Sequence, residues 1–177
     1  MDVFVEQMVK RRFGTKDKLL TAGIVLAALL LSFIFILVVP VFIRAFSLVS
    51  FFFVAAAWYG AYWLISSLSL EFEYAVTNGD ITVDKIIAKR RRKRILVADA
   101  KNIEEMGRYK ESDHVQRNYD KRVIANTGEE QAEDWYFTFH HRHFGHTLLV
   151  FTPDERTLEA IKPYLKRQVA VHAFSRY

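Results

Sequence analysis

The sequence predicts an α+β chain in which a two-helix transmembrane hairpin leads into an antiparallel β-sheet or barrel domain with one C-terminal α-helix. Three observations predict it. From Leu19 to Leu70 the only charged side chain is Arg44. "EFEYAVTNGDITVDKII" holds two alternating runs joined by Asn78-Gly79, a dipeptide that suits a two-residue type I′ hairpin. "TPDERTLEAIKPYL" has the capping box and the apolar spacing of an amphipathic helix.

The 177 residues have room for one modest domain and an accessory segment. A helix needs about 20 apolar residues to cross a hydrocarbon core, so the apolar stretch is long enough for two passes. The spans are expected at about 19–39 and 48–70, with Pro40 ending or kinking the first and Arg44 marking the turn. Lys10, Arg11, Arg12, Lys16 and Lys18 precede the first span and a basic run follows the second. The positive-inside rule then predicts a multi-pass protein of the cell membrane with both termini in the cytoplasm. A secretory signal peptide does not fit, because the apolar segment is too long and a second span follows. The absence of cysteine excludes disulfides, thiolate chemistry and cysteine-based zinc sites.

Residues 1–18 are expected to form an interfacial amphipathic helix, capped by Asp2, with Phe4, Val5, Met8 and Val9 on one face. Gly14 would end it and Thr15 recap the chain. Residues 71–177 form the cytoplasmic domain. With Thr77 opposite Asp80, its first hairpin places Phe72, Tyr74 and Val76 on one face with Lys85, Val83 and Ile81. Glu73, Ala75 and Thr77 share the other face with Asp84, Thr82 and Asp80, so one face is apolar and the other wet.

"KRILVA" reads as the third strand, and "DAKNIEEMGRY" as a segment holding a helical turn capped by Asp99. Residues 110–134 are polar, with "KRVIANT" as a candidate strand and "GEEQAED" as an acidic loop. "WYFTFHH" and "HTLLVF" form a second hairpin around "RHFG". In the last segment Thr152 is the expected N-cap, Pro153 the first helical residue and Glu155, three residues after the cap, the other member of the box. Leu158, Ile161 and Leu165 share a face, and Pro163 kinks or ends the helix.

Two spans followed by "YAVTNGDITVDKIIAKRRRKRI", "NIEEM" and "TLLVFTPDERTLEAIKPYL" resemble bacterial membrane proteins with a pleckstrin-homology-like domain. With "DVFVEQMV" at the start, the chain looks like a small two-span family of Gram-positive bacteria. The resemblance covers nearly the whole length and implies a fold and a location, without an activity.

The candidate site is the run Lys89, Arg90, Arg91, Arg92, Lys93 and Arg94. If the first strand points away from the bilayer, the second returns Ala88 to Arg92 toward the headgroups, so this turn would meet anionic inner-leaflet phospholipid or a protein partner. The competing reading is a solvated strand whose cations pair with Glu71, Glu73, Asp84 or the acidic loop. Nucleic acid is disfavoured as a partner, because residues 71–177 carry 19 Lys/Arg against 17 Asp/Glu. Without this run no basic footprint remains.

His140, His141, His143 and His146 crowd one hairpin and are the only metal candidates; strand alternation splits them and no carboxylate completes an obvious ligand set. Glu104 and Glu105 read as exposed charge on a helix. No nucleotide-binding glycine pattern or nucleophile motif occurs, so no enzyme activity and no cofactor are expected. The spans carry no Asp, Glu, Lys or His that would mark a transport path. Gly23, Ala27, Ala57, Gly60 and Ala61 suit close packing inside the hairpin or between protomers of a homo-oligomer. Trp58, Tyr59, Tyr62 and Trp63 are expected to face lipid or a membrane partner, or to be ordinary residues of the span. The expected function is a non-enzymatic membrane-anchored binding or adaptor module; the alternatives are an accessory subunit of a larger membrane transport or envelope-building complex and, least favoured, a metal-dependent enzyme using the four histidines.

Overall fold

The computed structural model describes residues 3–42, 47–129 and 131–175. The chain divides into two compact units, Phe13–Ser69 and the remainder. The expected turn at Arg44 and the expected cap at Asp2 lie outside the described residues.

The first unit is helical. Helix α1 (Thr15–Phe33) starts at Gly14, whose N–H donates to the Asp17 carboxylate at 3.1 Å. It runs through a π-helical turn (Ile34–Val38) into α2 (Val39–Phe42). Pro40 therefore neither ends the helix nor stands alone as a kink. A proline removes one N–H and crowds the carbonyl four residues back, and the wider π turn just before it absorbs that crowding. Helix α3 (Ser47–Ser67) follows. Thr15–Val41 and Val49–Ser67 are each long and apolar enough to cross a membrane. Ala28 and Ala61 are buried, Phe35 stacks on Phe53 at 4.9 Å, and the Trp58 indole donates to the Ser32 hydroxyl at 3.1 Å. Gly23 and Gly60, expected to pack inside the hairpin or between protomers, meet no described heavy atom beyond their own helix backbone and chain neighbours within 4 Å of where a Cβ would stand.

The second unit contains two four-stranded sheets. Sheet A has the order β1-β2-β3-β4, from β1 (Phe4–Lys10), β2 (Leu70–Thr77), β3 (Asp80–Ile87) and β4 (Arg91–Asp99). Sheet B is built from β5 (Ile103–Arg108), β6 (Lys121–Ala125), β7 (Trp135–His141) and β8 (Gly145–Phe151), in the order β5-β7-β8-β6. The short α4 (Glu111–His114) precedes β6, and α5 (Glu155–Ile161) and α6 (Arg167–Phe174) end the unit.

The expected N-terminal amphipathic helix is instead β1. Its sequence satisfies both periods: Phe4, Val5, Met8 and Val9 line up at helical spacing, while Val5, Gln7 and Val9 alternate at strand spacing. The edge of β2 decides between them, since it offers backbone partners from Phe4↔Thr77 to Lys10↔Glu71, and Val9 reaches the core opposite Phe72. An isolated helix of this length has no comparable source of stability in water.

The β2–β3 hairpin has the expected register, from Leu70↔Ile87 to Thr77↔Asp80. Both turn residues take positive φ, 51° at Asn78 and 94° at Gly79, as a type I′ turn requires. A Cβ on Gly79 would stand 2.8 Å from the Tyr164 ring, so glycine is required there for space as well as for conformation. The face carrying Tyr74, Val76, Ile81 and Val83 joins Leu96, Phe137, Leu149 and Phe151 in one core. The opposite face is not uniformly wet, because Glu73 and Asp84 are each 4% exposed.

Sheet B departs from an all-antiparallel design, since β6 runs parallel to β8 from Lys121↔Thr147 to Ala125↔Phe151. Asp99 caps a single 3₁₀ turn at Ala100–Asn102 by accepting from the Lys101 N–H at 2.9 Å. Glu104 and Glu105 then lie on β5 rather than on a helix, and both are exposed. At the C-terminus the N-cap is Asp154 rather than Thr152, with its carboxylate accepting from the Thr157 N–H at 2.8 Å. Thr152 is committed elsewhere: its hydroxyl donates to Asp134 at 2.6 Å and accepts from the Thr127 N–H at 3.0 Å. Helix α5 stops before a 3₁₀ turn containing Pro163, and α6 follows as a second C-terminal helix where one was expected.

Candidate functional site

The basic run begins in the β3–β4 turn. β3 ends in apolar Ile86-Ile87, β4 starts at Arg91, and residues 88–90 reverse the chain, with the Arg90 N–H donating to the Ile87 carbonyl at 3.1 Å. Ala88 and Lys89 take φ of 53° and 56°, left-handed conformations that cost an L side chain roughly 1 kcal/mol or more each. The register Leu70↔Ile87 places this turn beside the first strand residue after α3.

The structure separates the six cations into two sets. Arg92 pairs with Glu73, and the Arg94 guanidinium donates to Asp84 at 3.1 Å. These are two of the pairings expected of a solvated strand, and they account for the burial of both carboxylates. Burial raises the Glu73 pKa, with Glu6 and Asp84 acting in the same direction, while Arg92 opposes the shift. Lys89, Arg90, Arg91 and Lys93 are exposed, and among the described residues no ion pair holds them. On the outer face Lys89, Arg90 and Arg92 surround a depression of about 450 Å³ with Met8, Ile86 and Glu71. Met8 is 58% exposed and came from the segment expected to be helical, so sequence reasoning did not place it here. This arrangement of several cations and one carboxylate over an apolar floor suits an anionic group joined to an apolar body.

The histidines do other work. The His141 Nδ1 accepts from the His143 and Phe144 N–H groups at 3.1 and 3.3 Å, holding its own turn, and its ring stacks on Phe144 at 4.6 Å. His140 stands opposite His146 in register, and His146 Nε2 lies 3.6 Å from Glu104. Among the described residues no group of three or more His, Asp or Glu is placed to hold a metal ion.

A second cluster, in the polar segment 110–134, centres on His114. Its ring is 2% exposed, stacks on Tyr109 at 5.2 Å, meets Tyr136 edge-on at 4.2 Å and hydrogen-bonds the Tyr119 hydroxyl at 2.7 Å. Arg122 donates to the carbonyls of His114 and Arg117 at 2.8 and 2.9 Å, closing the loop. Burial pushes the His114 pKa down, as does nearby Arg117. Polar composition concealed this cluster, because its stability comes from ring packing across sequence-distant strands.

Two β-sheets joined to C-terminal helices around one core, with a cationic turn on the first sheet, define an α+β protein consistent with a pleckstrin-homology-like domain. The chain belongs to the family described as "Bacterial PH-like domain (DUF6106)", which matches residues 1–171. The match takes in β1 and both long helices as well as the sheets. No curated protein and no solved structure matches the chain.

Proposed function

We propose that this chain is a non-enzymatic, membrane-anchored binding module of the cell membrane, with both termini in the cytoplasm, whose β3–β4 turn engages anionic inner-leaflet headgroups. One observation carries it. Lys89, Arg90 and Arg91 are exposed, without ion pairs among the described residues, in a turn registered with the strand residue that follows α3. Two apolar helices of spanning length supply the anchor, and the cations flanking them orient it by the positive-inside rule. Each cation held at an anionic surface contributes about 1 kcal/mol before screening. Attachment belongs to the helices, so the turn sets the orientation of the domain.

The chain has no cysteine, so Ala88→Cys gives a single labelling position. A spin label there, in the full-length protein in nanodiscs, should be relaxed by lipid-headgroup quenchers in anionic bilayers and much less in neutral ones. Arg90→Gln with Arg91→Gln should abolish the difference. A label that stays remote from lipid in anionic bilayers would sink the proposal.

A further inference from the structure

Lys85 and Lys93 stand directly opposite one another in the β3–β4 register, on the face of sheet A that carries Phe72 and the core. Like charges directly opposite across a strand pair repel. They nevertheless occupy the same end of a core-facing row, where an apolar pair would extend the core. They open onto a groove of about 340 Å³ between the two sheets. On the far side the groove is lined by Lys121 and Arg122 of β6, and Arg94 of β4 completes five cations; among the described residues no carboxylate lines it.

The cations of this groove differ in their commitments. Arg94 holds Asp84, Arg122 is bonded to backbone carbonyls and lies over the Tyr119 ring, and the Lys121 ammonium lies 4.6 Å above the Phe144 ring. Among the described residues no ion pair holds Lys85 or Lys93. Two further features accompany the charge. β4 and β6 are each the last strand of their sheet, so among the described residues each has a strand neighbour on one side alone. Ile124 and Phe144 also line it, and they are 62% and 40% exposed.

We infer that this groove seats an acidic, extended segment of a partner protein, added as a strand beside β4 or β6 with its carboxylates between Lys85, Lys93 and Lys121. Charge complementarity supplies the argument for the occupant. The strand edges and the exposed Ile124 and Phe144 favour a peptide of alternating acidic and β-branched residues over an anion without a backbone, since strand addition draws on main-chain hydrogen bonds and alternate side-chain seats. The site is separate from the outer-face depression of the basic turn, and the inference stands whether or not that turn meets lipid.

The test uses the full-length protein in neutral phosphatidylcholine nanodiscs and a fluorescein-labelled peptide alternating Glu and Val. A saturable rise in anisotropy is expected. Lys85→Gln with Lys93→Gln should weaken binding about tenfold, the sum expected of a few partly screened charge contacts. Arg90→Gln with Arg91→Gln should leave it unchanged. Replacing two facing lysines removes a repulsion, so the double variant should unfold at no lower temperature than the parent. Hydrogen exchange on the unmutated protein gives an independent readout: the peptide should protect amides of residues 93–95 or 121–124. Absence of saturable binding, equal weakening by the turn variant, or protection confined to other strands would overturn the inference. So would displacement of the peptide by free phosphate or a single-stranded oligonucleotide at matched charge.

Discussion

The Tyr74 hydroxyl crosses from sheet A to donate to the Ala125 carbonyl at the end of β6, and it accepts from the Thr152 N–H at 3.3 Å. Its ring meets Phe151 edge-on at 5.6 Å, so one side chain ties both sheets to the segment entering α5. Burial raises its pKa far above the ordinary tyrosine value, and the hydroxyl stays neutral and able to donate. Tyr74→Phe keeps the ring and removes the hydroxyl that bonds the buried Ala125 carbonyl and the Thr152 N–H. A loss of about 1–3 kcal/mol is expected in urea denaturation of the full-length protein. A change within a few tenths would show that water replaces the hydroxyl.

Ala88→Gly should stabilise the chain. The residue sits at φ 53°, where a Cβ is strained and glycine is not. Relief of roughly 1 kcal/mol is expected, read as a higher thermal midpoint, with the proposed headgroup contact unchanged because no charge is touched. If the midpoint falls instead, the left-handed assignment of this turn is wrong.

The α5 cap distinguishes two neighbouring residues. Asp154→Ala should cost about 1 kcal/mol by removing the acceptor of the Thr157 N–H. Burial opposes ionisation of Asp154, but its bonds from Thr157 and Arg156 outweigh it and hold the pKa below the ordinary carboxylate value. Its contribution is therefore present above the unfolded-state value and is lost as pH falls through the lower folded one. Asp154→Asn should flatten that acid limb in a denaturation series, whereas Thr152→Val, which breaks the Asp134 and Thr127 contacts, should lower stability without flattening it.

His114 has the opposite charge and the same sign of pH dependence. Burial and then Arg117 depress its pKa below the ordinary 6.5, so the folded chain favours the neutral ring. Asp113 and Glu105 pull the other way and Arg122 reinforces the depression. The unfolded chain binds the proton first, so stability is complete above about pH 6.5 and declines as pH falls toward the folded value. His114→Gln should lower stability at pH 7 and remove part of the slope between pH 7 and 5. An unchanged slope would assign it to other groups.

Arg92→Met leaves Glu73 nearly buried beside Asp84 and Glu6 without the charge that opposes its raised pKa. The carboxyl should shift further upward. The variant should be destabilised most at pH 7 and recover toward the parent on acidification, as Glu73 takes up its proton. Equal destabilisation at both pH values would point to lost packing of the arginine stem instead.

Local patterns in the sequence were enough for the elements whose partners lie nearby. Asn78-Gly79 and its flanking alternation determined the β2–β3 register, because a two-residue turn leaves no freedom to slip without reversing every side chain. The two apolar helices, the Asp99 cap and the β7–β8 hairpin were legible for the same reason. Tertiary structure decided what depended on distant partners. Phe4–Lys10 satisfies two periodicities, and only the edge of β2 made it a strand. Thr152 was withdrawn from helix capping by Asp134 and Thr127, and β6 was laid parallel to β8 by a pairing that no neighbouring residue announces. The six-residue basic run was visible as charge, yet the long-range pairing of β2, β3 and β4 is what sets Arg92 beside Glu73 and Arg94 beside Asp84, while among the described residues no ion pair holds Lys89, Arg90, Arg91 or Lys93. Sequence specifies which side chains are present and their local period, while the long-range backbone pairing decides which of them face one another.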